Sequence, residues 1–332
     1  MSSPAGRLVA LAAVPLLLLA ACGDDDDGDA SAGGGGAGGG DRLEVVAAFY
    51  PVAEAAEQVG GDLVDVTNLT PAGTEPHDLE LTPDQVDDIE DADVVLYLGQ
   101  GFQPAVADAA ERRGDDQVTV DVLDGVALER GASEALESEE GDEHAAEDGG
   151  GEGGGEQLDP HFWLDPQLMA AAVDEIEAAL GDAAPADSEA FGAGAQRYDG
   201  ELDALDQEME AGLSDCERDE IVTSHAAFYY LAQRYGLTQL PIAGLSPESE
   251  PDADRLADLA DRVEEDGITT VFYEDLVSPD VAETLAREAG VETARLSPIE
   301  GLTEDQVDAG DDYLSVMRQN LAALQEALGC TG

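Results

Sequence analysis

The stretch DSEAFGAGAQRYDGELDALDQEMEAGL, residues 187–213, decides the architecture. Tyr198, Leu202, Leu205, Met209 and Leu213 recur every three or four residues, the spacing of one helical face, and Pro185 lies just ahead, where a helix can begin. A helix of about 27 residues would be roughly 40 Å long at 1.5 Å per residue, enough to run the height of two domains. Ahead of it, Leu43–Phe49, Leu63–Leu69, Asp93–Leu98 and Val118–Val122 read as strands. Helices are expected through Ala53, Ala56 and Val59, from the capping box Thr82-Pro83-Asp84-Gln85 to about Asp91, and through Met169, Ala172, Val173, Ile176 and Leu180. Behind it come strand Ile221–Ser224, helices Ala226–Tyr235 and Ala253–Glu265, strand Thr270–Tyr273, helix Pro279–Glu288 and strand Val291–Leu296. A last helix carries Leu314, Met317, Leu321, Leu324 and Leu328 and stops at Gly329. Such alternation predicts an α/β fold of two lobes, each a parallel sheet covered by helices, joined by one long rigid helix.

Charge narrows the function. The 332 residues hold 77 Asp plus Glu against 13 basic residues, all Arg, for a net charge of −64. Nucleic-acid binding needs clustered basic side chains that displace counterions, so that class is excluded, and attraction to anionic membranes with it. Leu, Ile, Val and Phe make up about 22% of the chain, just above the ~20% below which an acidic chain is expected to stay disordered. The chain is therefore expected to fold with acidic segments left over. The clearest is 133–156, a disordered acidic loop of Glu, Asp and Gly that contains His144. Surfaces this acidic also suit high salt, which screens self-repulsion.

The amino terminus indicates a compartment. Leu8–Ala21 is an apolar run of about 14 residues, short of the ~20 that span a bilayer, and reads as a signal-peptide core. It ends in Leu19-Ala20-Ala21-Cys22, which resembles the lipobox where bacterial lipoproteins are cleaved and lipidated on the new terminal Cys. The expected segments are a signal peptide over 1–22, an Asp- and Gly-rich tether over 23–40, a first lobe over 41–184, a linking helix over 185–214 and a second lobe over 215–332. Setting Cys22 aside leaves Cys216 and Cys330, an even pair of the kind oxidised outside the cytoplasm. A disulfide between them is expected.

Three of the four His stand where chemistry is expected. His77 lies between a strand end and the next helix cap, His161 precedes a helix, and His225 follows the strand Ile221–Ser224. Open α/β sheets bind ligands beyond the carboxyl ends of their strands, so these three could converge on one cleft, and neutral imidazole is a common zinc donor. No two of them are closer than 64 residues in sequence, so spacing alone makes no motif.

Five blocks in order carry a resemblance: Pro76-His77-Asp78-Leu79-Glu80-Leu81-Thr82-Pro83; Asp159-Pro160-His161-Phe162-Trp163-Leu164-Asp165-Pro166; Thr223-Ser224-His225-Ala226-Ala227-Phe228 with Tyr235-Gly236-Leu237; Phe272-Tyr273-Glu274; and Asp312-Tyr313-Leu314-Ser315 with Asn320-Leu321. From about Leu43 to Leu328 the chain resembles the metal-binding solute receptors of bacterial ABC transporters, the adhesin-like zinc and manganese uptake lipoproteins. The resemblance implies a metal cleft between the lobes, with His77, His161 and His225 as imidazole ligands and Glu300 as the fourth. It implies that Glu274 orients a ligand or secures the cleft, while Asp78 and Glu75 flank His77. Three imidazoles and one carboxylate suit Zn(II), whereas Mn(II) favours more oxygen donors. The expected role is a monomeric, lipid-anchored receptor on the outer face of the cell membrane that hands Zn(II) to an ABC permease. A manganese or iron receptor and a zinc-dependent hydrolase are the alternatives. Zinc receptors of this kind often carry a His-rich acidic loop; here the loop has only His144, a weak accessory metal site at most.

Overall fold

Each lobe repeats one strand order. The structure, a computed structural model, describes residues 42–114, 117–129, 158–249, 251 and 253–331. Strands β1 (Leu43–Ala47), β2 (Val64–Asn68), β3 (Val94–Tyr97) and β4 (Val118–Asp121) form a sheet in the order β2-β1-β3-β4. Strands β5 (Glu220–Thr223), β6 (Thr238–Pro241), β7 (Thr270–Tyr273) and β8 (Glu292–Arg295) form a second in the order β6-β5-β7-β8. Every pairing in both is parallel. Parallel neighbours need crossovers, which puts helices over the sheet faces and explains the unbroken apolar run Val94-Val95-Leu96, buried on both sides. In both sheets the chain reverses its direction of travel between the first and third strands. That switch point is where an open α/β sheet leaves a crevice.

The helices are α1 (Tyr50–Gly60), α2 (Pro83–Asp91), α3 (Pro104–Ala110), α4 (Pro166–Ala183), α5 (Ser188–Leu213), α6 (Tyr229–Tyr235), α7 (Ala253–Glu265), α8 (Asp280–Ala289), α9 (Glu304–Ala309) and α10 (Tyr313–Leu328). Helix α2 starts on the expected capping box: Thr82 accepts the Gln85 N–H, and the Gln85 side chain accepts the Thr82 N–H. The long helix α5 runs 26 residues, with Phe191, Tyr198, Leu202, Leu205 and Met209 fully buried. It packs on α1 and α4 in the first lobe and on α10 in the second. Two glycines mark those contacts. A Cβ on Gly194 would stand 2.2 Å from the Val59 carbonyl oxygen, so only glycine lets the α1 backbone come so close. A Cβ on Gly212 would meet the flexible side-chain ends of Gln325 and Leu321 instead.

One hydrophobic core runs from the first sheet through α5 to α10, and a smaller cluster around Val222, Leu259, Val263, Val271 and Leu285 fills the outer second lobe. Cys216 and Cys330 are bonded, as expected, across a sequence separation of 114. Four elements depart from expectation. Strand β6 and helices α3 and α9 were not anticipated, and the helix expected from Ala226 begins only at Tyr229. The Ala226 N–H instead donates to the Gly244 carbonyl at 2.9 Å, tying this segment to the loop after β6. Cys22, the tether over 23–40 and His144 within the acidic loop lie outside the described residues.

Candidate metal centre

The second lobe builds its part of the site on its switch point. His225 lies just beyond the end of β5, and Glu274 follows β7 directly, the neighbouring strand. The His225 carbonyl accepts the Thr223 hydroxyl at 2.8 Å and the Gln239 amide at 2.9 Å, which fixes its backbone. Glu274 Oε1 accepts the His225 N–H at 3.1 Å and lies 2.7 Å from its Nδ1. An ionised carboxylate can only accept, so Nδ1 carries a proton and Nε2, the nitrogen left for other partners, faces away from Glu274.

His161 is oriented in the same manner by a local partner. Asp159 Oδ1 accepts the His161 N–H at 2.9 Å and lies 2.7 Å from Nδ1. The Asp159 carbonyl in turn accepts the Tyr230 hydroxyl of α6 at 2.9 Å, tying this loop to the second lobe. His77 comes from the loop between β2 and α2. Its N–H donates to Glu75 at 3.0 Å, and its ring meets Phe102 edge-on with centroids 4.5 Å apart.

These three imidazoles converge on one atom. Nε2 of His77, His161 and His225 each lies 3.2 Å from Glu300 Oε1, and the His161 and His225 Nε2 atoms are 3.4 Å apart. One donor atom from each of the four residues falls within 4.8 Å of the others. His161, His225 and Glu300 are buried; His77 keeps 9% of its side-chain surface exposed. A cavity of about 690 Å³, lined by His77, Asp78, Glu80, Phe102 and Ser246 among others, reaches His77 alone of the four.

So many buried donors at such separations strain the electrostatics. Burial by itself would lower the His225 pKa, yet Glu274 and Glu300 outweigh it and hold the imidazole well above its ordinary 6.5. Burial opposes protonation of His161 too, and Asp159 and Glu300 overcome it, so that pKa is also raised. For Glu300 burial pushes upward, but the three imidazoles pull its pKa well below 4.5. Lone pairs and a carboxylate packed this tightly need positive charge among them, supplied by protons or by a cation. With the second nitrogen of two rings pinned by carboxylates, the free faces form a nitrogen-rich donor set with one oxygen, the chemistry that Zn(II) favours.

All four residues expected as ligands therefore meet, and Glu274 stands where an orienting carboxylate belongs. Asp159 does for His161 what Glu274 does for His225, and its signal in the sequence is its position two residues before a His, with Pro160 between. Glu75 holds the His77 backbone, and burial raises its own pKa. Among the described residues no other group of His, Cys, Asp and Glu has this geometry.

Comparison with known proteins agrees. The profile of the family described as zinc-uptake complex component A, periplasmic (ZnuA), matches residues 45–327. The zinc-binding protein AdcA of Streptococcus pyogenes serotype M3 is 40% identical over 291 residues, covering 86% of this chain; the chain spans 56% of that protein's length. The high-affinity zinc uptake system protein ZnuA of Bacillus subtilis is 37% identical over 289 residues, with 87% of this chain and 88% of that protein covered. The crystal structure of the Zn(II)-bound ZnuA-like domain of Streptococcus pneumoniae AdcA superposes with a TM-score of 0.71 at 36% identity, covering 86% of this chain and 99% of that one. With a match over most of its length and the same two-lobed fold, the chain belongs to the zinc-uptake complex component A family.

Proposed function

We propose that this protein is an extracytoplasmic zinc receptor that holds Zn(II) between its lobes and delivers it to an ABC-type membrane importer. One observation carries the reading: three imidazole Nε2 atoms, drawn from both lobes, face a single buried carboxylate oxygen at 3.2 Å each. His77, His161, His225 and Glu300 would be the ligands, and Asp159 and Glu274 would fix the tautomers of two of them. The leading segment fits an anchored receptor: a signal peptide over 1–22, a lipid on Cys22, and a tether over 23–40. No helix among the described residues is long and apolar enough to cross a membrane. The receptor would act as a monomer, with the importer's permease as its partner. A net charge of −64 would gather divalent cations around it, an effect screened by salt.

The site binds and does not catalyse. A zinc hydrolase keeps one coordination position open for water and sets its general base across that water. Here Glu300 stands at equal distance from all three imidazoles, the position of a fourth ligand. Competition titration with Zn(II) and Mn(II) tests the reading. Zinc should win in the wild type, and His161→Ala should lose affinity by about 10²- to 10³-fold, roughly one ligand's share of the ~10–16 kcal/mol of a four-ligand zinc site. Near-wild-type affinity in that variant would sink the ligand assignment.

A further inference from the structure

Glu300 sits on a turn that is costly to hold. Ile299, directly before it, has φ of 54°, in the left-handed region where a β-branched side chain crowds its own backbone, and that side chain is fully buried. A residue stays there only when its surroundings over-determine the conformation. Those surroundings come from both lobes. Asn320 of α10 clamps Ser297: its Oδ1 accepts the Ser297 N–H at 2.9 Å and its Nδ2 donates to the Ser297 carbonyl at 2.7 Å. The Ser297 hydroxyl accepts the Ile299 N–H at 3.2 Å. From the first lobe, the Trp163 indole N–H donates to the Pro298 carbonyl at 2.7 Å, and the Gly73 N–H donates to the Leu302 carbonyl at 2.8 Å. Glu300 is thus bracketed, two residues before and two after, by bonds to the lobe that carries His77 and His161. Trp163 is itself immobilised, since it is fully buried and its carbonyl accepts the Tyr313 hydroxyl at 2.5 Å.

We propose that Trp163 is a positioning and specificity residue: its indole N–H, together with Asn320, locks the Ile299 turn so that Glu300 meets the three imidazoles through one oxygen. The proposal rests on the zinc reading for its specificity half only. A carboxylate held to a single oxygen beside three nitrogens makes a compact four-donor set that favours Zn(II). Once the turn relaxes, the second oxygen or a water can enter, and the larger, oxygen-richer set shifts preference toward Mn(II).

Trp163→Phe keeps an aromatic ring in the core and removes the donor. Phe162→Leu, at a buried neighbour with no bond to the turn, is the control for general loosening. Ser297→Ala, nearly isosteric, repeats the test from inside the turn should Trp163→Phe fold poorly. In the metal-free protein, amide hydrogen exchange over 297–302 should accelerate about tenfold or more in Trp163→Phe and Ser297→Ala and stay near wild type in Phe162→Leu. Unchanged exchange in a folded Trp163→Phe, or in Ser297→Ala where Trp163→Phe does not fold, would overturn the positioning role. In titrations the ratio of zinc to manganese affinity should fall by about 10-fold in the turn variants, the low end for residues that orient metal ligands, and hold in the control. An unchanged ratio, or an equal fall in all three, would overturn the specificity role. Failure of the wild type to bind zinc would defeat the receptor reading and the specificity role with it, leaving hydrogen exchange to decide the positioning role.

Discussion

The two sheets share a strand order and fill their switch points with opposite chemistry. In the first lobe, the crevice beyond β1 and β3 is plugged by rings: Phe49 and Phe102 with centroids 4.9 Å apart, and Trp163 packed on both at 4.7 and 5.5 Å. In the second, Thr223, His225 and Glu274 occupy the same topological place with a hydrogen-bonded polar network. The first lobe therefore delivers its imidazoles on loops laid over an apolar wall, whereas the second grows one straight from its strand ends. A shared topology fixes where a site can be, and the residues at the strand ends decide which lobe is wall and which is scaffold.

That contrast can be broken in several places. The largest effect should come from the crosslink, which encloses nearly the whole second lobe and has no counterpart among the described residues of the first. Replacing Cys216 and Cys330 together by Ser should cost about 4–5 kcal/mol in the chain-entropy account of a loop this long. Denaturant unfolding of metal-free protein measures it, and a loss below about 1 kcal/mol would mean that the second lobe does not depend on its staple. Next come the two carboxylates that pin imidazoles. Glu274→Gln and Asp159→Asn should each weaken zinc binding by about 10- to 100-fold, with Glu274→Gln toward the upper end. Glu274 joins two strands 49 residues apart, while Asp159 acts within one rigid turn. Equal losses in a competition assay would erase the distinction between scaffold and wall.

The long helix offers a third comparison. Gly194→Ala drives a methyl into the α1 backbone and should cost about 2–3 kcal/mol; Gly212→Ala displaces only side-chain ends and should cost less than about 1 kcal/mol. Thermal unfolding of the two variants ranks the lobe contacts directly. The smallest effect concerns pH. In metal-free protein the raised His161 and His225 pKa values contribute stability that is complete below 6.5 and lost as pH rises through the raised values. The lowered Glu300 pKa contributes stability present above 4.5 and lost as pH falls through its depressed value. Both contributions are in force between 4.5 and 6.5. Zinc must displace the imidazole protons, so zinc affinity should climb over the range in which the metal-free fold loses this support. Melting curves with and without zinc, from about pH 5 to pH 9, should show opposite trends; parallel trends would disprove the linkage.

Much of this was legible before any coordinates. The Thr82–Gln85 capping box and the three- and four-residue repeat of α5 are local signals, and the helices they announce are present. The His residues were readable as a group because only four exist and three fall at strand or helix ends. Glu300 needed the family resemblance, since one acid among 77 carries no signal of its own. What stayed hidden depends on distant partners. Strand β6, with the sequence Thr-Gln-Leu-Pro, lacks an apolar run and exists because β5 pairs with it, and its Gln239 is spent on Thr223 and His225. Neither the close approach at Gly194 nor the left-handed Ile299 has a signature in sequence, because each is imposed by a neighbour more than 20 residues away.

The plug of rings has an optical consequence. Trp163 is the one tryptophan of the chain, fully buried, with its ring centroid 5.2 Å from that of His161. All indole emission therefore originates beside the metal centre, from a dry and fixed environment. Zinc, with a filled d shell, has no low-lying states to drain that emission, whereas an open-shell ion in the same position would be expected to quench it. With a cation bound as proposed, the protein would carry its own gauge of which one it holds, readable without a label.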